Sequence, residues 1–159
     1  MRLDKPLPDS ISGVKIKTDY RLFIELFCAK DEQEKAEALQ KIFCNGVPEN
    51  SSDEFNNFLV AGEKNKDEDG KKSFDFGKDG GRIYASFYQD YKIDLTKADL
   101  HWWQFLELFK GLSEETLIKR VMDIRTKPVD PKASTEENQR LIKLKIAFAL
   151  DDYEGEISD

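Results

Sequence analysis

Residues 98–112 read ADLHWWQFLELFKGL and contain both tryptophans, the single histidine and two of the eleven phenylalanines of this chain. Whether they form a site or a piece of core decides the fold. On a helical projection Trp102, Trp103, Phe105, Leu106, Leu108, Phe109 and Leu112 cover far more than one amphipathic stripe, and only Gln104 and Glu107 keep a consistent polar line. A helix apolar over most of its circumference is surrounded by others, so the spacing predicts the central helix of a bundle, stopped at Gly111, with both tryptophans serving the core. Each Trp or Phe buries roughly 150–250 Å², which at about 25 cal/mol per Å² gives this helix several kcal/mol of stabilisation. His101 is unique but has only Asp99 and Glu107 nearby, in no triad or metal-ligand spacing, so a capping or core-satisfying role is expected for it.

Working outward, the same period recurs on both sides. Toward the N-terminus, Val14 and Ile16 alternate with lysines as in a short extended segment, and Thr18 or Asp19 can cap a helix whose core face is Leu22, Phe23, Leu26 and Phe27. A second helix, DEQEKAEALQKIFCNG, carries acidic residues in its first turn and Ala36, Leu39, Ile42 and Phe43 on one face, with Asn45-Gly46 as its stop. Ser52 can cap a short third element with Phe55, Phe58 and Leu59 on one side, ended by Gly62.

Residues 63–72 contain no apolar side chain and are expected to form a mobile polar loop. They hold half of a calcium-loop pattern, Asn65, Asp67, Asp69 and Gly70, but Lys72 and Phe76 stand where an apolar residue and a bidentate glutamate belong. Ile83, Tyr84, Phe87, Tyr88 and Tyr91 then form a helical aromatic stripe that reads as core, while Gly77, Gly80 and Gly81 leave the start of that helix open. Asp94 or Thr96 is free to cap the next helix. Beyond the tryptophans, Ser113 is placed to cap a helix with Leu117, Val121 and Ile124 facing inward. After the proline-punctuated linker, Ser134 and Glu137 form a capping box for a last helix with Leu141, Leu144, Ala147 and Phe148 inside. Lys132, Arg140, Lys143 and Lys145 read as a solvated face.

Composition narrows the function classes. At 159 residues the chain suits one helical domain over 1–150 of about five to six helices with a short extended N-terminal segment, followed by an acidic tail at 151–159. A net charge of −7 argues against a surface that tracks phosphates, so no nucleic-acid partner is expected. Apolar runs are only a few residues long, far below the ~20 of a membrane span. Cys28 and Cys44 lie in apolar helical patterns and read as small hydrophobes, and with one histidine they cannot build a zinc site. No leader pattern precedes the first helix, so a reducing cytoplasm is expected. No phosphate loop, nucleophile elbow or paired-ligand motif occurs, and neither catalytic residues nor a cofactor or metal are expected.

Three stretches, "IKTDYRLFIELF", "FDFGKDGGRIYASFYQDYKIDL" and "DLHWWQFLELFKGLSEETLIKRVMDIR", together resemble the bacteriophage gene product 15 family of tail-module proteins. The marks that carry the resemblance are Tyr84, Phe87, Tyr91, Ile93-Asp94-Leu95, His101-Trp102-Trp103, Phe105 and Arg125, in the family's order. Gly80-Gly81 and Gln104 depart from the pattern, which more usually has larger residues and a basic residue there. The resemblance implies a non-enzymatic tail-assembly protein, a chaperone binding helical segments of the tape-measure protein or another tail-assembly partner in the cytoplasm of a bacterial host. A homo-oligomer is compatible with it. A structural component retained in the phage tail and a calcium-modulated binding protein are the alternatives.

Overall fold

The computed structural model describes residues 4–48, 51–61 and 73–150. The polar loop with its half calcium pattern, the expected stop at Gly62 and the acidic tail therefore lie outside the described residues. The described chain is mainly α: a two-stranded hairpin, β1 (Ser10–Ile11) and β2 (Val14–Lys15), and seven helices, α1 (Tyr20–Cys28), α2 (Glu32–Ile42), α3 (Ser52–Leu59), α4 (Phe76–Tyr91), α5 (Trp102–Lys110), α6 (Leu117–Thr126) and α7 (Thr135–Ala147). These elements group into two units, Met1–Glu68 with Ile93–Gly111, and Asp69–Lys92 with Leu112–Asp159.

In the first unit the hairpin turns at Ser12 and Gly13, both at positive φ, as a two-residue antiparallel loop requires. Glu54 of α3 accepts from the Ser12 N–H at 2.8 Å and the Ser12 hydroxyl at 2.7 Å, which ties the turn to that helix. Asp19 caps α1 by accepting from the Arg21 N–H. Tyr20 and Phe23 of α1 are buried, but Phe27, expected in the core, is half exposed and rests one ring face on Trp102 at 5.7 Å.

α2 ends at Ile42, before its expected Asn45-Gly46 stop, because the next residues leave the helix to pair with the N-terminal segment. Phe43 bridges Ile16, Lys17 donates to the Ile42 carbonyl at 2.8 Å and Cys44 to that of Lys15 at 3.2 Å. Gly46 turns the chain only afterwards, at φ +83. Ser52 is already helical. Ser51 precedes it and donates its hydroxyl to the Pro48 carbonyl instead of capping α3. Neither cysteine is in a disulfide and both are exposed, not small core hydrophobes. Cys28 closes α1, while Cys44 is bonded to the segment ahead of α1, so about 13 Å of helix lies between these two places.

In the second unit α4 starts at Phe76, well before the aromatic stripe. Asp75 accepts from the N–H groups of Gly77 and Lys78, and that cap offsets part of the glycine cost. α4 and α6 run antiparallel, as shown by contacts from Asp79 to Arg125, Ser86 to Ile118 and Asp90 to Ser113. Ser113 binds the Asp90 carboxylate instead of capping α6, which opens only at Leu117. That later start turns Leu117 out to 46% exposure and puts Ile118 in the core beside Val121. Ser134 and Glu137 close a capping box at the head of α7, with bonds of 3.0 and 3.2 Å.

Candidate functional site

The signature residues fall into two clusters, one in each unit. In the first, His101 is the N-cap of α5. Its Nδ1 accepts from the Trp103 N–H at 3.0 Å, so the ring proton sits on Nε2, which donates to the Pro8 carbonyl at 2.8 Å. Gln104 completes a capping box by accepting from the His101 N–H at 3.0 Å. The family departure at Gln104 thus has a local role. Burial holds the imidazole below the ordinary histidine value, against the opposing pulls of the Pro8 carbonyl and the Asp9 charge. Both ring nitrogens are engaged in holding backbone.

The two tryptophans do related work at the far end of α3. A helix leaves its last carbonyls without partners inside the helix, and of the two at this end the Phe58 carbonyl already accepts from the Ala61 N–H at 3.1 Å. The Trp102 indole donates to the Leu59 carbonyl at 3.0 Å and the Trp103 indole to the Phe58 carbonyl at 2.8 Å. Trp102 is buried and stacks between Phe23 and Phe105, whereas Trp103 is only half-buried and tilts against Phe58. The backbone joins in: Trp102 donates to the Thr18 carbonyl at 2.7 Å and Tyr20 to that of Leu100 at 3.1 Å. Phe105 is fully buried and stacks on Tyr20 at 4.8 Å, and the Tyr20 hydroxyl donates to the Leu95 carbonyl. Asp94 does not cap α5. It accepts from the Thr96 N–H and hydroxyl, closing the turn after Ile93.

The second cluster centres on Asp79, a fully buried carboxylate that the sequence did not single out. Arg125 binds it through both guanidinium branches, at 2.6 and 3.0 Å, while donating to the Ser73 carbonyl at 3.1 Å and the Phe148 carbonyl at 2.6 Å. Arg82 adds a third bond to Asp79 at 2.8 Å and lies over the Phe148 ring, and the Asp75 N–H supplies a fourth. Burial pushes the Asp79 carboxyl up, but Arg125, the Asp75 N–H and Arg82 together outweigh it and hold it below the usual carboxylate range. One side chain therefore joins the start of α4, the end of α6 and the end of α7. The signal was present in the spacing: Asp79 lies four residues before Ile83, on the arc that buries Ile83, Ser86 and Phe87, where a charge needs a cation.

The aromatic stripe of α4 divides. Phe87 is buried, with Tyr91 half-buried edge-on to it at 5.8 Å, but Tyr84 and Tyr88 point outward and stack on each other at 6.4 Å. Among the described residues no group of three or more His, Cys, Asp or Glu side chains could hold a metal ion, and no helix is long and apolar enough to cross a membrane.

Capped helices, buried aromatics and side chains aimed at backbone carbonyls define a mainly α protein whose most distinctive residues hold elements to one another. Comparison with protein families places it further: the family described as Bacteriophage Gp15 protein matches residues 12–150, and the chain belongs to it. No curated protein and no solved structure matches the chain.

Proposed function

We propose that this phage protein is a non-enzymatic tail-assembly factor, a chaperone that binds helical segments of the tape-measure protein. Membership of a phage family spanning residues 12–150 is the observation that carries the reading. The fate of the signature residues supports it. His101, Trp102, Trp103 and Arg125 are engaged in fixing backbone, while Phe27, Tyr84, Tyr88, Leu117, Ile142 and Ile146 keep apolar surface open on the helices. Exposed apolar side chains on helices suit a protein that covers another helix. A long tape-measure helix has apolar surface to cover before the tail tube encloses it, and a net charge of −7 favours solubility of the chain that would cover it.

A component retained in the tail is the competing role. Mass spectrometry of purified virions separates the two: a chaperone is absent from finished particles, and a stoichiometric presence there rejects the chaperone role. Calcium modulation through Asn65, Asp67 and Asp69 falls outside the described residues. It calls for a shift in melting temperature at millimolar calcium.

A further inference from the structure

Among the described helices α7 alone buries no residue, although it contains Leu141, Ile142, Leu144, Ile146 and Ala147. Ile142 and Ile146, one turn apart on the same side, are 39% and 54% exposed. Lys143 lies beside them on one flank, with Arg140 behind it, and Lys145 on the other. From Asn138 to Ala147 there is no acidic residue, in a chain with 32 Asp and Glu and a net charge of −7. The helix dipole favours cations at this end. It gives no reason for two isoleucines to stand in water between them.

The helix is also firmly placed. Its head is held by the Ser134–Glu137 capping box, and at its tail Lys145 donates to the Arg125 carbonyl at 3.1 Å while Arg125 donates to that of Phe148. A pre-ordered surface loses little conformational entropy on binding.

We propose that the outer face of α7, centred on Ile142 and Ile146 and flanked by Arg140, Lys143 and Lys145, docks an acidic amphipathic helix of a partner protein. An apolar ridge at i, i+4 fits the groove of a second helix, and positive flanks on both sides select glutamates or aspartates at the margins of that helix. Three cations in a field of −7 form too small a patch to track a nucleic-acid backbone. Ile142 and Ile146 are also among the open apolar residues that support the tape-measure reading, but the peptide test below does not use the tape-measure protein, so the two can fail separately.

The test uses the full chain and two labelled amphipathic peptides with one leucine face, flanked in one case by glutamates and in the other by lysines. Fluorescence anisotropy is expected to show binding of the glutamate peptide, weakened about tenfold or more by I142S/I146S at unchanged melting temperature. R140E/K143E is expected to shift preference toward the lysine peptide. Equal binding of both peptides, no loss in I142S/I146S, or capture of a labelled DNA duplex in their place would overturn the proposal. So would a homodimer in sedimentation equilibrium that I142S/I146S dissociates, since a second copy would then be the occupant. Glutamate-peptide binding that appears only after the carboxylates of residues 151–159 are neutralised would assign the face to the chain's own tail and equally overturn it.

Discussion

Replacing Arg125 with methionine removes the cation while keeping most of the apolar stem, and it leaves Asp79 fully buried with only Arg82 and the Asp75 N–H. Removing one partner of a buried ion pair costs about 3–5 kcal/mol. The carbonyls of Ser73 and Phe148 lose their donors as well, at about 1 kcal/mol each where water cannot replace them, while the retained Arg82 offsets part of the charge penalty. The expected loss is therefore about 4 kcal/mol, from a total of ~5–15 kcal/mol for a domain. For a chain of this size that corresponds to a melting point lower by roughly 10–15 °C.

Urea denaturation followed by circular dichroism measures the loss. The double variant D79L/R125M removes both charges and is expected to recover to within about 2 kcal/mol of the parent, because apolar replacement of a buried pair is often neutral. The pH dependence has a fixed sign. The carboxyl of Asp79 titrates lower in the folded protein than in the unfolded chain, where it lies near 3.9, so the stabilisation is complete above about pH 4 and is lost as pH falls through the depressed folded value. The gap between parent and R125M should narrow below about pH 4. A loss under about 1 kcal/mol at neutral pH, or a double variant no better than the single one, would show that Asp79 does not depend on Arg125 for its burial.

Other consequences follow from the first cluster and from α4. The imidazole of His101 titrates below its unfolded value of about 6.5, so its contribution is complete above that pH and is lost as pH falls through the folded value. In H101Q, which cannot titrate there, the fall in stability from about pH 6.5 to 5 should flatten, and denaturation curves with the parent's slope across that range would contradict it. Trp103→Phe keeps an aromatic ring but removes the indole bond to the Phe58 carbonyl, which retains the Ala61 N–H, so it should cost no more than about 1 kcal/mol, whereas Trp102→Phe also opens space in the core and should cost about 2–4 kcal/mol by the same urea assay. An added Cβ at Gly80 or Gly81 meets nothing within 4 Å, so each change to alanine should raise stability by about 0.5–1 kcal/mol. A destabilised G80A or G81A in calorimetry would be the contrary result.

The parts of the fold that depend on local period were legible in the chain: the mainly α class, the capping box at Ser134, and the buried positions Phe23, Ile83, Phe87, Trp102 and Phe105. What escaped depends on partners distant in sequence. Ser113 has the residue type of a cap but meets Asp90, and the helix then opens at Leu117 in a frame that exposes that leucine. α2 gives up its last residues because Ile16 and Lys15 compete for Phe43 and Cys44. Tyr84 and Tyr88 keep the helical period of a core stripe, yet period alone does not show how wide an arc of α4 is covered. The carbonyls of Pro8, Phe58 and Leu59 carry no sequence signal, although they explain why a histidine and two tryptophans stand together at 101–103.

Co-expression of the tagged chain with a tape-measure protein, followed by affinity purification, tests whether the chain is a tape-measure chaperone. The tape-measure protein is expected to remain soluble and co-elute with the chain, and its helical fragments to do so individually. A tape-measure protein that is soluble alone, and of which no fragment co-elutes, would contradict it.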